Sequence, residues 1–181
     1  MSRAKTQFDE SIKDAEELLA HFDAAKPPGG KPPPPTAEVL KRAGLILAIT
    51  AWETYVEDRA KEALDANLTV LNGSSIAEFM KSKFDEEMKR FHNPNSEKTS
   101  KLFTDYTGKD VTKEWNCNPG GAALAKKTLD EWVKRRGQAA HRSPPNGSGQ
   151  PAPAHLLSRE DLDKLIRFLK MLVSQTEASF S

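Results

Sequence analysis

Ala43-Gly44-Leu45-Ile46-Leu47-Ala48-Ile49-Thr50-Ala51-Trp52-Glu53-Thr54-Tyr55-Val56 decides the fold. Its apolar residues cover nearly every side of a helix, so that helix has neighbours on several sides. The stretch is too short to cross a bilayer, and it carries Glu53. Thr36 before it is a fair N-cap, with Glu38 in the first turn. The spacing therefore predicts one long central helix over about 36–70, ended by Asn72-Gly73.

Working outward, Phe8, Ile12, Ala15, Leu19 and Phe22 fall on one face of a helix over about 4–24. Lys26-Pro27-Pro28-Gly29-Gly30-Lys31-Pro32-Pro33-Pro34-Pro35 stops it, because prolines remove donors and fix φ. Residues 26–35 are read as a flexible connector. Ile76, Met80, Phe84, Met88 and Phe91 mark a helix over 75–91. His92-Asn93-Pro94-Asn95 is a turn. A shorter helix follows over 96–107, closed by Gly108. Asp110 to Trp115 suggests one more turn, and Asn116 to Gly121 a loop. Ala122 to about His141 is helical. Residues 143–154, rich in Pro, Gly and Ser, form a second flexible connector. Ser158 with Asp161 resembles a capping box. It opens an amphipathic helix carrying Leu162, Leu165, Ile166, Leu169, Leu172 and Val173. No strand pattern and no repeat is found. The expectation is an all-α bundle: helices 36–70, 122–141 and 158–179, with helix 4–24 packed on them, forming one domain over 1–181.

Composition narrows the function. Of the 181 residues, 37% are apolar and 29% charged, which fits a well-solvated surface. The net charge of +1 gives no global case for nucleic-acid binding, so any such case is local. Cys117 is the single cysteine, which excludes an internal disulfide. The N-terminus lacks the apolar core of a signal peptide. A soluble, cytoplasmic protein is expected, with no membrane partner. His21, His92, His141, His155 and Cys117 are scattered without metal-ligand spacing, so no metal or cofactor is expected. His21, His92 and His155 read as solvated. Gly120-Gly121 precedes a helix but lacks the Lys-Ser/Thr of a phosphate loop. Trp52, Trp115 and Trp132 read as packing residues.

Two charges stand where a core should be. Leu129, Trp132 and Val133 form the buried stripe of helix 122–141, and Arg136 continues it. Glu53 is the only charge in its stretch, and a buried carboxylate needs a partner. The guanidinium fork of Arg136 suits it, with Glu57 and Asp58 as alternative acids one turn on. A purely structural ion pair is the competing reading. His141 lies five residues after Arg136, about 140° around the helix axis, so the two do not share a face. They converge if the helix ends or bends near His141, or if a second subunit supplies the complement. Between Lys126 and Arg142, six basic residues (Lys126, Lys127, Lys134, Arg135, Arg136, Arg142) face two acids, Asp130 and Glu131. A polyanion could find this local excess, although most charge runs are solvated faces. Chance alone supplies the Arg–His spacing in about one in five chains of this composition.

These segments resemble HEPN domains, a helical superfamily whose members often carry Arg, four to six residues, then His. The nearer likeness is to the RiboL-PSP-HEPN branch. It rests on Ile49 to Glu57, on Gly108 to Trp115, and on Leu129 to Arg142, together framing about residues 36–175. The resemblance implies a bundle whose motif helix lies near a homodimer interface. It further implies metal-independent RNA cleavage in toxin–antitoxin, phage-defence or RNA-processing settings, with no cofactor. RNA is then the substrate, and an antitoxin or other partner protein is a possible companion. Arg136, His141 and Glu53 take the catalytic places, with Lys134, Arg135, Gln138 and Arg142 contacting RNA. Gly137 departs from the pattern, since active members often have Asn, Asp or His there; Gln138 or Arg135 would have to fill that place. The alternative is a non-catalytic dimeric module that binds RNA or a partner protein.

Overall fold

The computed structural model describes residues 1–27, 29, 33–140 and 157–180. Among them are six α-helices: α1 (Arg3–Ala24), α2 (Glu38–Asn67), α3 (Ser75–Met88), α4 (Ser96–Thr107), α5 (Gly121–Ala140) and α6 (Arg159–Ala178). Short 3-10 turns occupy Pro35–Ala37, Thr69–Leu71 and Val111–Lys113. No strand forms among the described residues, which makes the fold an all-α bundle. None of the described helices is long and apolar enough to cross a membrane.

At 30 residues, α2 spans about 45 Å and is the axis of the fold. It packs most extensively along α1 and also touches α3, α4, α5 and α6. Trp52 and Tyr55, from the middle of the quoted stretch, are essentially inaccessible. Tyr55 meets Phe8 of α1 edge to face at 5.8 Å, and Trp52 meets Trp115 at the same distance. Each buried aromatic also satisfies its polar tip. Trp52 Nε1 donates to the Pro94 carbonyl, and Trp115 Nε1 to Thr176 Oγ1, both at 3.0 Å. Tyr55 Oη donates to Glu177 Oε1 at 3.0 Å. Such bonds remove the cost of burying an N–H or O–H, so the aromatics act as both packing and registry.

The expected stripes are the buried ones. Phe8, Ile12, Ala15, Leu19 and Phe22 line the core side of α1, and Leu162, Leu165, Ile166, Leu169, Leu172 and Val173 that of α6. Ser158 and Asp161 form the capping box that starts α6. Gly108 closes α4 in the left-handed region, at φ 73°, which glycine enters without a Cβ clash.

Three details correct the expectation. Thr36 is not an N-cap. Pro35–Ala37 already turns, held by the Ala37 N–H donating to the Pro34 carbonyl at 2.8 Å. The chain thus enters α2 from a helical Ala37 that needs no side-chain cap, and α2 covers 38–67 rather than 36–70. The helix expected over 75–91 ends at Met88, leaving Phe91 buried beyond it. Ile76, one of the apolar residues that mark that helix in the sequence, is 62% exposed. Ala77 and Phe84 supply the buried contacts of α3, which touches the bundle along a narrow seam. Of the two connectors, residues 28, 30–32 and 143–154 lie outside the described residues.

The approach of α2 to α6 depends on Gly44. A Cβ there would lie 2.7 Å from Cδ2 of Leu162, a side chain with no solvent access to retreat into. Gly44→Val is expected to cost about 1–3 kcal/mol in urea unfolding, because overpacking displaces Leu162. An unchanged midpoint would show that α2 and α6 are not in this close contact.

Candidate functional site

The site is assembled from α2, the α3–α4 loop and the last turns of α5. Helical periodicity places Leu129, Trp132, Val133 and Ala139 of α5 against the core, and all four are buried. Arg136 continues that stripe, and its side chain is 24% exposed. Glu53 projects from the middle of α2 with only 15% of its side chain exposed. Arg136 Nη2 lies 3.8 Å from Glu53 Oε2, an ion pair of long separation.

A third residue closes the arrangement. Asn93, in the α3–α4 loop, donates its backbone N–H to Glu53 Oε1 at 2.8 Å. Its side-chain Oδ1 accepts from Arg136 Nη1 at 2.6 Å. A guanidinium only donates, so the amide oxygen, not its nitrogen, must face it. Asn93 has φ 53°, making it the non-glycine residue with positive φ among the described residues. The loop is pinned on both sides of it. The Pro94 carbonyl receives Trp52 Nε1, and the His92 carbonyl receives Lys98 Nζ at 2.5 Å. Arg136 Nε is buried and, among the described residues, finds no acceptor. A donor left in that state costs about 1–3 kcal/mol.

A second carboxylate on α5 fixes where α4 begins. Asp130 accepts from the Ser96 N–H at 2.7 Å and from Ser96 Oγ at 3.0 Å. Together with Asn95, which caps α4 by accepting from Lys98 N–H at 2.9 Å, it anchors the far side of the Asn93 loop to α5. The loop is therefore held against the helix that carries Arg136.

The other expected residues fall as follows. Lys134 and Gln138 are exposed on α5. Arg135 is half-exposed, stacks 4.8 Å over the Trp132 ring and points Nη1 to within 3.8 Å of Asp161 Oδ2. It is thus engaged with the start of α6 rather than simply solvated. Gly137 has open space around it, since a Cβ there would meet nothing within 4 Å. His141 and Arg142, which follow directly on the end of α5 at Ala140, lie outside the described residues, as does His155. His21 is exposed. His92, read from the sequence as a solvated turn residue, is 71% exposed, yet its Nδ1 stands 4.0 Å from Glu53 Oε1. Glu57 and Asp58, the alternative acids, make no ion pair with Arg136. Among the described residues no three His, Cys, Asp or Glu side chains gather as a metal site. Concavities of about 480 and 590 Å³ both border Lys109, the second also Glu177, and neither is lined by Glu53, Asn93 or Arg136.

Sequence reasoning missed Asn93. The one available signal was the residue type: Asn tolerates the left-handed region and is common where a loop reverses before a helix. Its contacts with Glu53 and Arg136 span 40 and 43 residues and leave no local pattern.

One turn along α2 from Glu53, partial burial and the Glu53 charge, with Asp58 adding to it, push the Glu57 carboxyl up to about 7. The fold therefore holds the Glu57 proton more tightly than the unfolded chain does. The associated stability is present below the ordinary carboxylate range and is lost as pH rises through about 7. Glu57→Gln should raise the melting temperature at about pH 8 and change it little at about pH 5. Parallel melting curves across that range would contradict the assignment.

A family model described as RiboL-PSP-HEPN matches residues 9–181. No curated protein and no solved structure gives a significant match to the chain. The match takes in the central helix, the Asn93 loop, the motif helix and α6, leaving out only the first eight residues. The chain belongs to the RiboL-PSP-HEPN family.

Proposed function

We propose that the protein is a metal-independent endoribonuclease that cuts RNA by internal attack of the ribose 2′-OH. The observation that carries this reading is Arg136, held at the end of α5 by Glu53 and Asn93, five residues before His141. Family membership supports it, because RNA cleavage and RNA or nucleotide binding are general among HEPN domains. In the reaction, the 2′-oxygen bonds to phosphorus and the P–O5′ bond breaks. The products are a 2′,3′-cyclic phosphate and a 5′-OH. One proton must leave the 2′-OH and one must reach O5′. His141 serves as general base or acid, a role suited to imidazole near neutral pH. Arg136 binds the scissile phosphate and stabilises the charge that develops on it. Glu53 orients Arg136. Lys134, Arg135, Gln138 and Arg142 contact the RNA backbone. A homodimer formed through the motif helix brings two Arg136/His141 sets into one cleft, so that one imidazole takes a proton while the other gives one. Work in a toxin–antitoxin, phage-defence or RNA-processing setting in the cytoplasm, with an antitoxin or other partner protein, belongs to this proposal.

A second reading is a non-catalytic dimeric module that binds RNA or a partner protein. It is favoured by one observation: the Arg136 fork already has two partners, Glu53 and Asn93. The two readings separate in one experiment. Purified protein is incubated with single-stranded RNA in EDTA, beside His141→Ala and Arg136→Ala. The proposal predicts fragments with 2′,3′-cyclic phosphate ends and a loss of about 100- to 10,000-fold in His141→Ala. Intact RNA with the wild type, or equal cutting by His141→Ala, would overturn it. Impaired self-association of Arg136→Ala with no cleavage by any form would select the second reading.

A further inference from the structure

We propose that Asn93 is a positioning residue for Arg136, holding the guanidinium in place with a neutral acceptor so that its charge stays available to a substrate phosphate. The inference rests on the RNA-cleavage reading for the identity of the substrate, but not for the contact itself.

Three observations carry it. First, the acceptor is well placed: Asn93 Oδ1 is 2.6 Å from Nη1, whereas the Glu53 oxygen is 3.8 Å from Nη2. The close directional bond to the guanidinium therefore comes from the loop, and the carboxylate acts from farther off as a charge. Second, the backbone of Asn93 is in the left-handed region at φ 53°. A side chain with a Cβ holds that conformation when its surroundings support it, and Asn is among the few residues that tolerate it. Here the surroundings are the Glu53 oxygen on its N–H and the Trp52 bond to the next carbonyl. That same turn sends the Asn93 side chain toward α5. Third, the chemistry favours an amide over an acid. A second carboxylate beside Glu53 would leave Arg136 between two negative charges and weaken its attraction for a phosphate. An amide oxygen orients the fork and adds no charge.

Two substitutions separate holding from charge. Asn93→Gly keeps the left-handed backbone and the N–H to Glu53 but removes the acceptor. Asn93→Asp keeps an acceptor and adds a charge. The direct readout is the ¹⁵N-guanidinium spectrum of Arg136, assigned with Arg136→Lys. Wild type and Asn93→Asp are expected to give separate, slowly exchanging Nη signals, and Asn93→Gly a single averaged one. With a single-stranded RNA oligonucleotide, Asn93→Gly should lower kcat by about 10- to 100-fold, as misplacement of a catalytic group does. Asn93→Asp should instead chiefly raise KM. Averaged Nη signals in the wild type, or an Arg136 spectrum unchanged in a folded Asn93→Gly, would overturn the proposal. The wild-type spectrum decides even if Asn93→Gly does not fold. If the wild type cuts no RNA, the ribonuclease reading fails while the spectra still judge Asn93.

Discussion

Glu53 is a carboxylate in the middle of a helix whose other surfaces are mostly taken up by neighbours, and its charge has to be met there. The demand draws three separate parts of the chain together. Oε1 accepts the Asn93 N–H, which docks the α3–α4 loop on α2. Oε2 faces Arg136, which sets the rotation of α5 about its own axis. Asn93 then bonds to Arg136 directly, so each of the three residues contacts the other two. With an apolar residue at 53 the bundle would still pack and Asp130 would still tie α5 to the start of α4, but Asn93 and Arg136 would lose the charge that both of them face on α2.

Glu177 plays the corresponding part elsewhere in the bundle. It receives Ser2 Oγ at 2.8 Å and Tyr55 Oη at 3.0 Å, and pairs with Arg59 at 2.9 Å. It thereby ties the chain's two ends to α2. Its surroundings make it a structural clasp: Phe180 lies against Arg59 at 3.9 Å, and Lys109 donates to the Ser179 carbonyl. The contrast is informative. Around Glu177 the cation is buried and covered by a ring, whereas around Glu53 the partner arginine is a quarter exposed and His92 stands beside it in solvent. The second arrangement leaves the paired arginine itself partly open to an approaching anion.

Much of the bundle was legible because it is written in local periodicity. The stripes of α1 and α6 and the capping box at Ser158 each lie within one helix, where spacing alone decides the buried face. The closeness of Glu53 and Arg136 could be inferred for a related reason: each interrupts an apolar pattern, and two such interruptions tend to answer one another. Asn93 could not be read, since its importance lies in a backbone angle and in contacts 40 or more residues away. Thr36 misled because a good capping residue is not used when the preceding prolines already begin the turn. Ile76 misled because helical spacing cannot tell a narrow docking seam from a full core face. His141 and Arg142, outside the described residues, were singled out by the Arg–His spacing and the family resemblance.

The central claim is that Glu53 and Arg136 act on each other, and a double-mutant cycle measures that directly. Urea unfolding of wild type, Glu53→Gln, Arg136→Met and the double variant gives the coupling free energy. The account predicts that the double variant loses less stability than the two single losses combined, by about 1 kcal/mol or more, because each single change leaves a partly buried charge without its partner. Losses that add within about 0.5 kcal/mol would show the two residues to be independent, and would contradict the account.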